Sequence, residues 1–161
     1  MNEQALQQFI EDMPQINEAA YCSFFHGVSH WKNVEKFGLL LAREYPDADI
    51  DVIRWFAYLH DCMRGKEEAF QEHGSVAALF IRKIRKTYLK DLSDVQIKQL
   101  RQACKYHTIR RRTKDITVNI CFDADRLDLW RVGIKPDPKQ MAKNAGSKYA
   151  ELSEEEIYNL I

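Results

Sequence analysis

Helical periodicity recurs in segment after segment of this chain while strand-like alternation is nearly absent, and that contrast confines the fold to packed helices. Val34, Phe37, Gly38, Leu41 and Tyr45 keep the spacing of a single helix face. Ile53, Phe56 and Ala57 begin a second stripe, and Val76, Ala77, Phe80 and Ile84 form a third. The one β-rich stretch, "ITVNICF", reads as the start of a buried helix. Start signals agree: Ser29 precedes the first of these helices, Asp49 or Asp51 the second, and Ser93 the segment "DVQI". "SEEE" at Ser153 is a capping box for a short terminal helix. The expected architecture is an all-α bundle of about six or seven helices.

At 161 residues and 19.0 kDa, without repeats or low-complexity segments, residues 1–161 are expected to form one domain. A domain of that size buries about two thirds of its unfolded surface in one core. Lys+Arg 24 balance Asp+Glu 24, which argues against wholesale attraction to nucleic acid or membranes. The start "MNEQALQQFIEDMP" has no basic region followed by an apolar stretch, and runs such as "VAALFI" are too short to span a bilayer. Cys22, Cys62, Cys104 and Cys121 form no C-x-x-C pair and are expected to be free thiols in a reducing compartment. A cytoplasmic protein is the resulting expectation.

Extending each apolar stripe by one helical step shows where four of the five histidines point. His30 lies four residues before Val34, and His60 three and four after Ala57 and Phe56. His73 precedes Val76 and Ala77 by three and four, and His107 follows Cys104 by three. All four fall on inward faces. In the fifth helix Asp125 shares a face with Val118, Cys121, Phe122 and Leu129. Asp123 shares one with Ile116, Ile120, Leu127 and Trp130, so periodicity does not choose between the two aspartates.

Taken singly, an inward histidine is ordinarily a core residue with backbone or water partners. Several together, with Asp61, are another matter: an unpaired buried polar group costs roughly 1–3 kcal/mol and a bare buried carboxylate far more. A bound cation satisfies several at once. Histidine with carboxylate suits Mn, Zn, Fe, Co or Ni better than Ca or Mg. His60 and Asp61 are adjacent in sequence, but at the end of the helix "WFAYLHD" the chain can bend enough for both to reach one ion.

The order His30, His60-Asp61, His73, His107, Asp125 resembles the HD-domain superfamily of metal-dependent phosphohydrolases. "HGVSHWKNVEKF" resembles its opening helix, "WFAYLHDCMR" its "ALLHDIGK/R" signature, "EHGSVAA" its H-G-x-x-A-A element and "FDADRLDLWRVGI" its "ADRLDAL" helix. The likeness covers roughly residues 23–134 and leaves 135–161 as a C-terminal extension. It implies that His30, His60, Asp61 and Asp125 hold one divalent transition metal, and that Asp61 bridges to a second where His73 and His107 are both present. One ion or two stays open. By the same match Asp125 takes the ligand role, and Asp123 stands behind the ligands or on the substrate side.

The resemblance further implies hydrolysis of a small phosphoester, a nucleotide being the leading class, with Asp61 orienting the attacking water or taking its proton. Arg64 and Arg126 are the expected contacts to phosphoryl oxygens. Lys66, Lys105 and Arg110, Arg111 and Arg112 would widen an anion-attracting rim, although a solvated loop is the plainer reading of the arginine run. His26 is either a support or substrate contact or an ordinary helix-start residue. Trp55, Trp130 and Tyr106 are expected in the core. Functional loops are expected at "MRGKEEAFQE" and "TIRRRTKD". The chain lacks the glycine-tyrosine-proline motif of cyclic-di-nucleotide phosphodiesterases, a nucleotide-synthetase domain, and a glutamate directly after the HD pair. Two other readings stand beside hydrolysis: a di-iron oxygenase on the same scaffold, and a binding or regulatory protein with a structural metal. The expected partner is a small molecule, and the oligomeric state is open.

Overall fold

The apolar stripes close on one another in the computed structural model, which describes residues 3–65 and 72–161. The α-helices are α1 (Glu3–Tyr21), α2 (Val28–Ala42), α3 (Ile50–Leu59), α4 (His73–Ile84), α5 (Asp94–Tyr106), α6 (Ile116–Leu127), α7 (Asn144–Ala150) and α8 (Glu154–Tyr158), with 3-10 helices at Asp128–Val132 and Pro138–Gln140. No strand occurs among the described residues. The fold is all-α, and "ITVNICF" does open a buried helix, α6. Among the described residues no helix is long and apolar enough to cross a membrane.

Helix α3 is the central rod, since Val52, Ile53, Trp55, Phe56, Ala57 and Leu59 are all buried. It packs against α2, α5 and α6, and α4 lies along α5. Helix α1 closes one side: Phe9 meets Trp55 edge-on at 5.7 Å and Tyr88 at 5.4 Å. This helix bends at Asn17, where the backbone leaves helical geometry. The freed Asn17 amide donates to the carbonyls of Cys62 and Arg64, 3.1 Å each, and so ties α1 to the chain just past His60-Asp61.

The caps expected at Asp49, Ser93 and Ser153 are present, the last two as full capping boxes. Two details differ. Helix α2 starts at Val28 with Gly27 as its cap, so Ser29 lies inside the first turn. The reason is a tight turn in which the Ser23 hydroxyl accepts from the His26 N–H, and a Cβ at Gly27 would strike the Ser23 and Tyr21 carbonyls. On α4, Val76 is 42% exposed, and the buried stripe runs through His73, Ala77, Ile81 and Ile84. That helix is shared mainly with α5, so its apolar face is narrower than the spacing alone implied. The additional helices are α1 and α7, the latter in the C-terminal extension.

Candidate metal centre

Helix α3 ends at Leu59, and His60 caps it while its backbone N–H still bonds to Phe56. Asp61 is the first residue beyond the helical turn, which lets two consecutive side chains converge. His30 comes from α2, His73 from the first residue of α4, His107 from the end of α5 and Asp125 from the last turn of α6. All four of these histidines and Asp61 are buried.

The donors sort into two clusters, His30-His60-Asp125 and Asp61-His73-His107. In the first, His30 Nε2 lies 3.0 Å from His60 Nε2 and 3.3 Å from Asp125 Oδ1, and His60 Nε2 is 3.7 Å from that oxygen. In the second, His73 and His107 bring their Nε2 atoms to 3.0 Å, and Asp61 Oδ1 lies 3.0 and 3.7 Å from them. The other Asp61 oxygen, Oδ2, faces the first cluster, 3.7 Å from His60 Nε2 and 4.0 Å from His30 Nε2. One carboxylate therefore spans both.

Hydrogen bonds at the far ring nitrogens orient these histidines. His60 Nδ1 donates to the Phe56 and Ala57 carbonyls at 3.2 and 3.0 Å, and His107 Nδ1 to the Cys104 carbonyl at 2.7 Å. His30 Nδ1 meets Asp128 Oδ2 at 2.6 Å. A carbonyl can only accept, so the proton sits on Nδ1 and each Nε2 turns a lone pair inward. The His30 and His60 lone pairs, 3.0 Å apart, repel unless a cation lies between them. Asp61 Oδ1 is likewise buried with no donor aligned for a hydrogen bond. With bonds of about 2.1 Å, donor separations of this size correspond to angles of roughly 90–145°, the range that four- to six-coordinate transition metals use. The residues present fit a divalent transition metal in each cluster.

The electrostatics agree. Burial holds His60 down at about 3, so it is neutral and ready to ligate. For His30 burial pulls the same way, but hydrogen bonding to Asp125 and Asp128 wins and the value is raised. His107 is raised against its burial by Asp61 and Asp125. Burial would lift the Asp61 and Asp125 carboxyls, yet the surrounding histidines hold both well below the usual range. The raised values of His30 and His107 set protons in competition with an ion for these two ligands. An ion must displace the protons, so metal affinity is expected to fall as pH drops toward and below neutrality, with proton release on loading. Calorimetric titration with Mn(II) in buffers of different ionisation heat measures this; affinity unchanged from about pH 6 to 8 would contradict it.

Around the donors, Arg64 places Nε 3.4 Å from Asp61 Oδ1. His26 Nδ1 lies 3.2 Å from Asp61 Oδ2 and 3.5 Å from an Arg131 nitrogen, which brings His26 into the site. Two other expected site residues are bonded to the backbone. Asp123 is fully buried and its oxygens accept the N–H groups of Ala142 and Lys143 at 2.6 and 2.9 Å, so it holds the C-terminal segment and has no substrate side. Burial raises its carboxyl to about 6. Arg126 donates to the carbonyls of Arg111, Gln140, His107 and Arg110 at 2.8, 3.1, 3.4 and 2.5 Å. Its guanidinium clamps the "TIRRR" loop through these carbonyls, and the residue also lines the cleft beside His107 and Asp125.

That loop borders a cleft of about 390 Å³ beside His107 and Asp125, with Arg110 and Arg111 on its wall. The Arg110 guanidinium lies 4.1 Å from the Tyr106 ring centroid, and Lys105 also approaches that ring, while Arg112 is exposed. Trp55 is core, and Trp130 and Tyr106 pack partly buried against it. Lys66, and with it most of "MRGKEEAFQE", lies outside the described residues. Sequence reasoning missed Asp128, which is fully buried behind His30. Its signal was its place three residues after Asp125, one turn along the same helical face.

A family model described as HD domain matches residues 27–130. No curated protein and no solved structure matches the chain.

Proposed function

The chain belongs to the HD-domain family, and on that premise we propose that it is a metal-dependent phosphohydrolase acting on a small phosphoester of the nucleotide class. The observation that carries the reading is Asp61, one buried carboxylate set between two histidine pairs with an arginine at its rim. Bound there, a divalent transition metal supplies Lewis acidity, lowering the pKa of water toward neutrality and drawing charge from the phosphoryl group.

The chain's own residues supply the rest. Asp61, kept ionised by the surrounding histidines, orients the attacking water or takes its proton. Arg64, whose Nε lies 3.4 Å from Asp61 Oδ1 and whose side chain is partly exposed, meets a non-bridging phosphoryl oxygen in this reading. The cleft beside Asp125 and His107 receives the remainder of the substrate; about 390 Å³ lies within the range of small-ligand sites. Arg110 and Arg111 make that wall cationic in a protein of zero net charge, which favours an anionic substrate.

Protein loaded with Mn, Co, Fe, Ni or Zn is expected to release phosphate from a member of a nucleotide and sugar-phosphate panel, and chelation to stop it. Replacing Arg110 and Arg111 together by alanine is expected to raise KM about tenfold with kcat little changed, as loss of binding common to ground and transition states requires. No phosphate release with any metal, together with oxygen uptake by a two-iron form, would replace this reading by the oxygenase one. Metal without turnover of either kind would leave a binding or regulatory protein.

A further inference from the structure

The family match ends at residue 130, yet the chain runs on to Ile161, and the last 31 residues are fastened to the helix that carries Asp125. Asp123 accepts from the backbone of Ala142 and Lys143, and Gly146 lies so close that a Cβ there would overlap the Asp123 carboxylate. Arg126 donates to the Gln140 carbonyl. The third attachment reaches the metal centre itself. Tyr158, in the last turn of α8, donates its hydroxyl to Asp128 Oδ1 at 2.6 Å, and Asp128 Oδ2 meets His30 Nδ1 at 2.6 Å. Asn33 donates to the same Asp128 Oδ1 at 3.0 Å.

The chain Tyr158–Asp128–His30 ends on the Nε2 that faces His60 and Asp125. A buried carboxylate with one donor lost can turn about its side-chain bonds, and the imidazole it holds turns with it. Partners of this kind fix ring orientation and ligand basicity, and removing them typically costs 10–100-fold in metal affinity. The Tyr158 ring is itself located, packed 5.7 Å from the Phe37 ring centroid with Ile157 buried beside it. Its hydroxyl therefore arrives at Asp128 with little freedom left to lose.

We propose that Tyr158 is a positioning residue of the metal centre, and that the C-terminal segment beyond the family match completes the His30-His60-Asp125 site by fixing Asp128. The inference rests on the metal-binding part of the functional reading and on no particular substrate. Tyr158→Phe keeps the ring and its packing and removes only the hydroxyl. It is expected to weaken Mn(II) or Co(II) binding at the first cluster about tenfold, to change the Co(II) visible spectrum there, and to leave the Asp61-His73-His107 cluster and the metal-free melting temperature close to wild type.

Asn33→Ala, which removes the other donor to the same oxygen, is expected to act in the same direction, and the double variant to lose more than the two effects combined. Should Tyr158→Phe fail to fold, Asn33→Ala carries the test alone. Wild-type affinity and an unchanged Co(II) spectrum in the variants that fold would overturn the proposal, as would failure of wild-type protein to take up metal. Metal binding that shifts as expected in a protein that releases no phosphate would support Tyr158 in this role while overturning the phosphohydrolase reading.

Discussion

Asp61→Asn is expected to abolish turnover, by on the order of a thousandfold or more, and to remove metal binding at the Asp61-His73-His107 cluster. Asparagine keeps the size of the side chain and removes the charge, so the effect isolates what the carboxylate does. Asp61 Oδ1 is the carboxylate donor of the second cluster, 3.0 and 3.7 Å from the two histidine nitrogens. Without it, the second cluster keeps His73 and His107 but no negative charge, a poor set for a divalent cation. The first cluster still has His30, His60 and Asp125, and one ion can remain there. Elemental analysis after gel filtration, set beside phosphate release, separates the two effects. Unchanged metal content, or activity within tenfold of wild type, would remove Asp61 from the centre of the mechanism.

The same variant reports on the metal-free fold. Burial opposes ionisation of Asp61, but the histidines outweigh it and the folded carboxyl lies well below 3.8. A depressed carboxyl contributes stability that is present above the unfolded value and is lost as pH falls through the folded one. Metal-free Asp61→Asn is therefore expected to be less stable than wild type near neutrality, with the gap closing in strong acid. Urea unfolding at the two extremes reads this out.

How much of this was visible in the residues alone depended on how local each feature is. Helical spacing marked the inward faces of α2, α3 and α5, and with them His30, His60 and His107, because one helix carries both the stripe and the histidine. Choosing Asp125 over Asp123 needed the family resemblance, since by spacing each shares a face with apolar residues of α6. What separates them is long-range: Asp123 meets backbone N–H groups 19 and 20 residues later. The backbone bonds of Arg126 were hidden for the same reason, its four acceptors lying on segments that only the folded chain brings together. Asn17 and Tyr158 had no local signal at all. Each acts from one end of the chain on residues far along it, Asn17 on the loop after Asp61 and Tyr158 on Asp128.

Gly74→Ala is expected to damage stability and the second metal cluster together. A Cβ at Gly74 would overlap the Cys104 carbonyl oxygen and lie 3.3 Å from both the Cys104 carbonyl carbon and His107 Cε1. The obstacle is backbone in the last turns of α5, which no rotamer change can move aside, so α4 must shift away from α5. Overpacking of this kind costs about 1–3 kcal/mol, a fall of roughly 3–9 °C in Tm for a domain of this size. The neighbour of Gly74 is His73, whose Nε2 sits 3.0 Å from His107 Nε2, so the shift opens the pair that, with Asp61, forms the second cluster. The first cluster draws on α2, α3 and α6 and is expected to keep its ion. Gly146→Ala is the matched control: its added carbon would overlap the Asp123 carboxylate, lowering Tm by a similar mechanism on the far side of α6. If both variants lose Tm but only Gly74→Ala loses the second ion, then close approach of α4 to α5 at a glycine is what brings His73 within reach of Asp61. Equal loss of metal in the two would instead make metal binding a readout of global stability.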